Sequence, residues 1–484
     1  METAAEDLAG AEQVKDDDAA GRLTYEIFSL LEAKFLFGSR NAAAAASAAA
    51  TGAGKAKVCV LSIDGGARAS DGLLAAAALV RLEAALRRRT GSPAARLADF
   101  FDVAAGSGAG GVLAALLFAR GPRGRPLYTA EDALAFLLRR VRRGTWSSRA
   151  GAGIQIVVRR GGGGGTSGAA FGKALGDLTL RDTVRPVLVP CYDLSTRAPF
   201  LFSRAAAAES AAHDFRLRDV CAATTCAAGG GAAVQVVSVD GGGTRIRAVG
   251  GGAALGNPTA AAITHVLNNR REFPAAAAID DLLVISIGTG DAVGAGGGRQ
   301  GKAPEVARIA AEGVSDMVDQ AVAMAFGQSR TSNYVRIQGT GSRRGGGGGG
   351  GRAPRACGGE TREQAVWKAE AMLLQRSVES VLFQGRKLAG ETNAEKLERF
   401  ARELAKEHAR RKQQAAAAEQ ESSGDGPPPV LPAVAAKQTP PTPTKQQPHK
   451  KTTPPSASTA GSTEAAAAPP EAPPPLRRRR RVAN

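Results

Sequence analysis

Residues 58–68 read VCVLSI followed by DGGAR, that is, the apolar run Val58–Ile63 and then Asp64, Gly65, Gly66, Ala67 and Arg68. A short, continuous apolar run that ends at a turn signal predicts a buried strand, and the glycine pair predicts a tight turn. A long helical pattern, Gly72–Arg89, follows the turn. Strand, glycine turn and helix in this order are typical of one unit of an α/β fold.

The same rhythm recurs along the chain. A second unit has a strand at Phe101–Ala105, a glycine turn and a helix at Gly111–Ala119. Other strands are predicted at Val187–Tyr192, Phe200–Phe202, Val234–Val239 and Leu282–Ile287. Helices are predicted at Ala130–Arg143, Ser315–Gly327, Glu363–Leu382 and Asn393–Lys412. The last of these carries Leu397, Phe400 and Leu404 on one face, which favours packing on the domain over binding of a partner. We therefore expect an α/β protein with a central, mostly parallel sheet flanked by helices.

Composition excludes several classes of protein. The 484 residues contain 63 Lys and Arg against 45 Asp and Glu, a formal charge of +18, of which +13 belongs to residues 1–411. The 61 glycines lack the three-residue period of collagen, and five scattered cysteines do not form a disulfide framework. Neither a membrane-spanning run nor a signal peptide is present, so we expect a reduced, cytoplasmic protein. The positive charge favours an anionic membrane face, whereas nucleic acid is not expected because aromatic residues make up only 4%.

Low-complexity segments suggest where the folded part ends. We expect an N-terminal helix and Ala-rich linker over residues 1–54, the main domain over 55–340, a Gly-rich loop and C-terminal helices over 341–412, and a disordered tail over 413–484. The tail holds 15 of the 25 prolines and the arginine run Arg477–Arg481. The helix Leu23–Phe37 is open to two interpretations, contact with a membrane surface or packing on the domain, and its short polar face favours packing. The glycine runs Gly161–Gly165 and Gly345–Gly351 lack a phosphate-loop ending and are interpreted as flexible loops.

Two glycine turns lie where an α/β sheet places its active site, beyond the carboxyl ends of strands. Backbone N–H groups of the turn that contains Gly65 and Gly66 can face a developing oxyanion without interference from a side chain. The segment Ala105–Gly111 reads AGSGAGG, which is typical of a sharp elbow between a strand and a helix. In a serine hydrolase, the middle residue of such an elbow is the nucleophile.

Three blocks of the sequence resemble the patatin-like phospholipases, in particular their plant group III branch. They are LSIDGGAR at 61–68, FFDVAAGSGAGG at 100–111 and GGGAALGNPTAAAITHVL at 250–267, and the resemblance covers roughly residues 20–410. It implies a patatin-like fold and hydrolysis of the acyl esters of membrane phospholipids and galactolipids, with release of fatty acids. It further implies a Ser–Asp dyad with no metal and no cofactor. The oxyanion residues that it implies are Gly65, Gly66, Ala67 and Arg68, beside an elbow formed by Gly106, Gly110 and Gly111.

The dyad positions of that family carry glycine in this chain. Gly108 stands where the family has its nucleophile, and Gly250 stands where it has its aspartate. Ser107 is a displaced candidate nucleophile and Asp240 a candidate base, the alternatives being a turn-forming serine and an aspartate that closes a strand. Two functions therefore remain open, a weak lipid acyl hydrolase and a catalytically inactive, lipid-binding or regulatory pseudoenzyme.

The remaining chemical candidates are weaker. His265 lies on the helix after Asn257 and Pro258, where a packed histidine is favoured over a catalytic one. Cys221 and Cys226 lack a second pair, so no metal site is expected. Four basic residues near the end of the helix Ala130–Arg143 fit a solvated face and phospholipid headgroups equally well, namely Arg139, Arg140, Arg142 and Arg143. We expect peripheral membrane contact through basic residues, and no particular protein partner is indicated.

Overall fold

A computed structural model describes residues 56–141, 168–227, 233–290, 305–339, 361–381 and 385–423. The chain divides into two compact units, Met1–Gly424 and Asp425–Asn484, and all described residues belong to the first. The predictions for Leu23–Phe37, the two glycine runs and the tail beyond Ser423 lie outside the described residues.

In the described part of the chain, ten strands form two sheets. They are β1 Val58–Ile63, β2 Val103–Gly106, β3 Val187–Asp193, β4 Ala198–Ser203, β5 Val234–Val237, β6 Arg245–Val249, β7 Leu282–Ile287, β8 Tyr334–Ile337, β9 Arg376–Val381 and β10 Gly385–Thr392. The main sheet has the order β5-β6-β3-β2-β1-β7-β8, with β4 also paired to β3, and β9 and β10 form a separate hairpin. Strands β1, β2, β3, β7 and β8 pair in parallel, whereas β4, β5 and β6 are antiparallel to their partners.

Twelve α-helices are described. They are α1 Leu73–Thr90, α2 Ala109–Phe118, α3 Ala130–Val141, α4 Gly168–Leu175, α5 Arg204–Glu209, α6 Leu217–Thr224, α7 Gly251–Ala254, α8 Thr259–Asn268, α9 Glu305–Phe326, α10 Arg330–Asn333, α11 Arg362–Leu374 and α12 Asn393–Ser423. Alternate residues of β1 enter two different apolar cores. Leu61 and Ile63 pack with α1 and α2, whereas Val58 and Val60 pack with α8 and α9. Helices therefore cover both faces of the sheet, and the predicted α/β class is confirmed.

Three predicted helices differ from the structure by more than two residues, and one of them is α12, which continues to Ser423, eleven residues beyond the predicted end at Lys412 and into the segment predicted to be disordered. The prediction of a helix over Glu363–Leu382 is wrong after Leu374, because the RSVESV segment from Arg376 pairs with β10 as a strand and buries Ser377 and Val378. Helix α9 begins at Glu305, ten residues before the predicted start. In α12, Leu397, Phe400 and Leu404 are buried, and the ring of Phe400 lies 6.3 Å from that of Phe101.

The register of the parallel strands aligns their carboxyl ends at one edge of the sheet. Ile63 of β1 is level with Gly106 of β2 and with Ile287 of β7, which in turn is level with Ile337 of β8. The segments that follow these strands therefore meet at one place, and they include both glycine turns singled out in the sequence.

Candidate active site

The elbow between β2 and α2 turns at Gly108. This residue has φ of +52° and ψ of −124°, and α2 begins at the next residue, Ala109. Such a backbone conformation is strained for any residue with a Cβ. The position that matches the family nucleophile is thus the residue at the turn of the elbow, and the Gly108 N–H donates to Thr224 Oγ1 at 2.8 Å.

The elbow packs tightly on the turn that follows β1. The N–H of Ala109 donates to the carbonyl oxygen of Gly66 at 2.9 Å. A Cβ at Gly108 would lie 2.3 Å from that oxygen and 2.7 Å from the oxygen of Gly65. A Cβ at Gly106 or Gly110 would also lie 2.3 Å from a backbone oxygen. Glycine is therefore required at these positions by the closeness of two backbone segments.

The turn has two backbone donors without an acceptor among the described residues. Gly65 and Gly66 are buried, and their N–H groups have no acceptor within the described part of the chain. Ala67 is half-buried, and its neighbour Arg68 is exposed and donates its N–H to Asp71 Oδ2 at 3.0 Å. Buried N–H groups are rarely left unpaired, so two adjacent ones mark a place where an electronegative atom of a ligand can be stabilised.

Gly250 lies close to Thr224 and the residues next to it, and Thr224 in turn contacts the elbow. A Cβ at Gly250 would lie 2.2 Å from the carbonyl oxygen of Cys226, and one at Gly251 would lie 2.6 Å from Thr224 Oγ1. The same Thr224 hydroxyl accepts the N–H of Gly108. The structure thus brings both glycines of the dyad positions close to Thr224, whose carbonyl oxygen lies 3.3 Å from the Cβ position of Gly250. Sequence reasoning missed Thr224, because its place depends on how α6 packs on β3 and α7.

Ser107 holds the elbow together in this structure. Its side chain is fully buried, and its hydroxyl contacts the carbonyl oxygens of Gly256 at 2.9 Å and Gly65 at 3.2 Å. Among the described residues, Ser107 makes no hydrogen bond to a carboxylate or an imidazole. The role of Ser107 as a nucleophile stays a prediction, and the observed contacts are those of a serine that ties three backbone segments together.

Asp240 lies in the turn between β5 and β6. Its carboxylate accepts hydrogen bonds from the Ser238 hydroxyl and from the N–H groups of Gly242 and Gly243, and these bonds lower the pKa of the exposed carboxyl. No hydrogen bond between Ser107 and Asp240 exists among the described contacts of either residue. The base role of Asp240 therefore also stays a prediction.

A buried polar network holds the residue that precedes the glycine turn. Arg336 on β8 donates to Asp64 Oδ2 at 2.5 Å and to Ser286 Oγ at 2.6 Å. Ser286 lies 2.8 Å from Thr259 Oγ1, which donates to Asn257 Oδ1 at 2.6 Å. The network connects the residue before Gly65 to the start of α8. Because its members come from four separate stretches of the chain, no local sequence pattern predicts it.

Burial has opposite effects on the two charges of this network. Burial raises the pKa of the Asp64 carboxyl, and the Arg336 guanidinium opposes that rise. Burial alone would lower the pKa of Arg336, but the contact with Asp64 raises it above its usual range. Asp64 Oδ1 is buried and has no hydrogen-bond partner. The carboxylate therefore depends on Arg336 for its main compensation.

The other candidates lie apart from these contacts. His265 is half-buried on α8 with its ring 6.2 Å from that of Phe273, and burial lowers its pKa. Arg140 lies with its guanidinium 5.4 Å from the centre of the Phe136 ring, and Arg142 and Arg143 lie outside the described residues. Among the described residues, no three His, Cys, Asp or Glu side chains are grouped to hold a metal. None of the described helices combines the length and apolar character needed to cross a bilayer.

In a comparison with known proteins, the relatives found are patatin-like proteins of plants. No family model matches the chain. Patatin-like protein 3 of Oryza sativa subsp. japonica is 69% identical over 401 residues, which cover 82% of this chain and 93% of that protein. Patatin-like protein 7 of Arabidopsis thaliana is 46% identical over 407 residues, covering 81% and 82%. Probable inactive patatin-like protein 9 of Arabidopsis thaliana is 39% identical over 403 residues, covering 79% and 92%.

Proposed function

Since the chain belongs to the patatin-like family, we propose that it is a lipid acyl hydrolase that releases fatty acids from the acyl esters of membrane phospholipids and galactolipids. The observation that carries this proposal is the pair of unpaired N–H groups on Gly65 and Gly66, directly against the elbow at Gly108. Pre-organised backbone donors of this kind stabilise the negative charge that develops on an ester oxygen.

The reaction proceeds from an ester carbonyl whose oxygen is bound by these donors. The candidate nucleophile is Ser107, whose hydroxyl must first leave the carbonyl oxygens of Gly65 and Gly256. Because Gly108 and Gly250 carry no side chain, oxyanion stabilisation and substrate binding supply most of the acceleration. In serine hydrolases these two effects alone give about 10³–10⁴-fold over water, so we expect weak activity.

An exposed apolar face beside the site supports action on lipid. On α9, Val306, Ile309, Met317 and Met324 recur at helical spacing and are 57–76% exposed. Large apolar side chains grouped on one exposed helix face are typical of a membrane-contact surface. Helix α9 adjoins the site because Asn257 Nδ2 donates to the carbonyl oxygen of Ser315 at 3.3 Å. We propose that this face contacts the lipid surface that supplies the substrate.

A specific observation favours a second candidate, an inactive lipid-binding or regulatory protein of the same fold. Both dyad positions are glycine, and the space for a Cβ at each is filled by backbone oxygen atoms. One relative, 39% identical, is named as a probable inactive patatin-like protein. On this alternative, the glycine turn binds a polar lipid group without cleaving an ester bond.

Fatty-acid release by the purified full-length protein separates the two candidates. The substrates are vesicles of phosphatidylcholine and of monogalactosyldiacylglycerol. The test variant is Gly65→Ala, whose Cβ would lie 2.3 Å from the Ser107 carbonyl oxygen, and the control is Gly172→Ala, where a Cβ meets nothing within 4 Å. The hydrolase proposal expects release by wild type and control and its loss in Gly65→Ala, with circular dichroism confirming that each variant folds.

The second arm is Ser107→Ala. Loss of release in this variant, with folding retained, would support Ser107 as the nucleophile, whereas retained release would refute that role and indicate attack by water. Background release by every protein, together with binding of wild type to the vesicles, would overturn the hydrolase proposal and support the lipid-binding alternative.

A further inference from the structure

A basic cavity lies at the edge of the sheet opposite the candidate active site. Its volume is about 340 Å³, and its lining includes Ser92, Asp99, Arg125, Arg185, His408 and Lys412. Asp99 and Arg185 precede the first residues of β2 and β3, whereas the glycine turns follow the last residues of β1 and β2. Strands of four to seven residues separate the two edges, a span of roughly 13–23 Å at about 3.3 Å per residue.

Two cations in the cavity have no counter-charge among the described residues. Arg185 and Lys412 are both exposed, and no hydrogen bond or ion pair is described for either side chain. The carboxylate that lines the same cavity, Asp99, already accepts the Arg96 N–H at 2.8 Å and Arg125 Nη2 at 3.1 Å. The cavity therefore carries an excess of positive charge that no described carboxylate neutralises.

Neighbouring groups respond to this positive charge. Burial lowers the pKa of His408, Lys412 and Arg411 lower it further, and Asp99 opposes them. On the other side, burial lowers the pKa of Arg204, Glu272 opposes that shift, and the charge of Arg185 adds to the lowering. Holding like charges close together in a folded protein costs free energy, and an anion bound between them would remove this cost.

The shape of the cavity suits a phosphate group with an organic substituent. The imidazole of His408 lies against the Phe100 ring, with 4.6 Å between the centroids and 45° between the planes, and both residues line the cavity beside the cations. The hydroxyl of Ser92 adds a neutral hydrogen-bonding group to the lining. Two unpaired cations match a phosphate dianion, whereas a carboxylate would neutralise only one of them.

We propose that this cavity is a binding site for a phosphate group, held between Arg185, which precedes β3, and Lys412 on α12. The ligand is a soluble phosphate ester or the phosphate headgroup of an anionic lipid, which share this chemistry. Because its two cations come from separate elements, the bound anion connects helix α12 to the body of the sheet. Binding therefore stabilises the folded protein as well as neutralising the cavity.

Isothermal titration calorimetry of the full-length protein with inorganic phosphate tests the site, with ionic strength held constant by sodium chloride. Wild type is expected to show one saturable site with Kd of about 1 mM or tighter, and both Arg185→Ala and Lys412→Ala to weaken it about tenfold. The matched control is Lys406→Ala, which removes a 70% exposed lysine of the same helix. Retained thermal unfolding midpoints establish that the variants fold.

Two further arms separate the sources of the phosphate. Competition of phosphate binding by glycerol 3-phosphate, without cosedimentation on phosphatidic acid vesicles, assigns a soluble ligand. Cosedimentation that depends on phosphatidic acid and is lost in Arg185→Ala assigns a lipid headgroup. Absence of saturable phosphate binding to wild type, or equal weakening in Lys406→Ala, would overturn the proposal.

Discussion

Adding a single methyl group at Gly108 tests whether the elbow and the glycine turn are as close as the structure places them. In Gly108→Ala, the Cβ would lie 2.3 Å from the Gly66 oxygen, where ordinary carbon–oxygen contacts begin at about 3.3 Å. The φ of +52° adds about 1–2 kcal/mol for a residue with a Cβ, and overpacking of a close contact adds about 1–3 kcal/mol. The expected loss in unfolding free energy is therefore about 2–5 kcal/mol.

Gly91 supplies a control for the cost of a positive φ without a close contact, with a ψ of +12° in place of the −124° of Gly108. It has φ of +64° at the end of α1, and a Cβ there would meet nothing within 4 Å. Gly91→Ala therefore carries the cost of the backbone conformation alone, about 1–2 kcal/mol. Urea unfolding followed by circular dichroism measures both variants. If Gly108→Ala costs no more than Gly91→Ala, the close packing of the elbow on Gly66 is refuted.

The same close backbone contacts determine how restoring the family residues would affect stability and fatty-acid release. In the double variant Gly108→Ser and Gly250→Asp, each new side chain meets a backbone oxygen, at 2.3 Å from Gly66 and at 2.2 Å from Cys226. We expect this variant to be less stable than either single change and to gain no fatty-acid release. Release well above wild type would show that the turn opens readily and would contradict the tight packing.

Three other changes have defined outcomes. Arg336→Met leaves Asp64 buried without its partner and should cost about 3–5 kcal/mol in urea unfolding, whereas adding Asp64→Leu should recover most of it; no recovery would contradict the pairing. Because burial lowers the pKa of His265 below 6.5, its contribution to stability is present above that pH and lost below it. His265→Gln should therefore reduce the fall in unfolding free energy between pH 7 and pH 5, and an unchanged slope would be evidence against that shift. Met317→Glu should weaken cosedimentation with phosphatidylcholine vesicles at any salt concentration, and unchanged binding would exclude α9 as the lipid-contact face.

Local sequence patterns predicted the central strands well. The predicted bounds of β1 and β7 agree with the structure at both ends. The reason is that each strand is a continuous apolar run, and the flanking charges of Lys57, Asp64 and Asp281 mark where the runs begin and end. Strand β8, Tyr334–Ile337, was missed because its four residues include Arg336, a charge that a buried strand rarely carries. The structure explains that exception, since this arginine pairs with Asp64 across 272 residues of sequence.

For the candidate site as well, features that depend on neighbouring residues could be predicted, whereas contacts between distant segments could not. The elbow could be predicted because its small residues act on neighbours within a few positions, and Gly108 indeed has a positive φ. What the sequence could not show is that Gly66 accepts the N–H of Ala109, or that Thr224 lies close to both glycines of the dyad positions. Those contacts depend on the packing of three separate elements at the edge of the sheet.

The two glycines are best understood as one structural feature. A side chain at Gly108 would push on Gly65 and Gly66, and one at Gly250 would push on Cys226, two residues from Thr224. Thr224 contacts both positions, since its Oγ1 accepts the Gly108 N–H and its carbonyl oxygen lies 3.3 Å from the Cβ position of Gly250. The close packing at each of the two positions therefore requires glycine. The N–H groups of Gly65 and Gly66 belong to the backbone, so glycine at Gly108 and Gly250 leaves them in place, and they are the donors that we propose for the ester oxyanion.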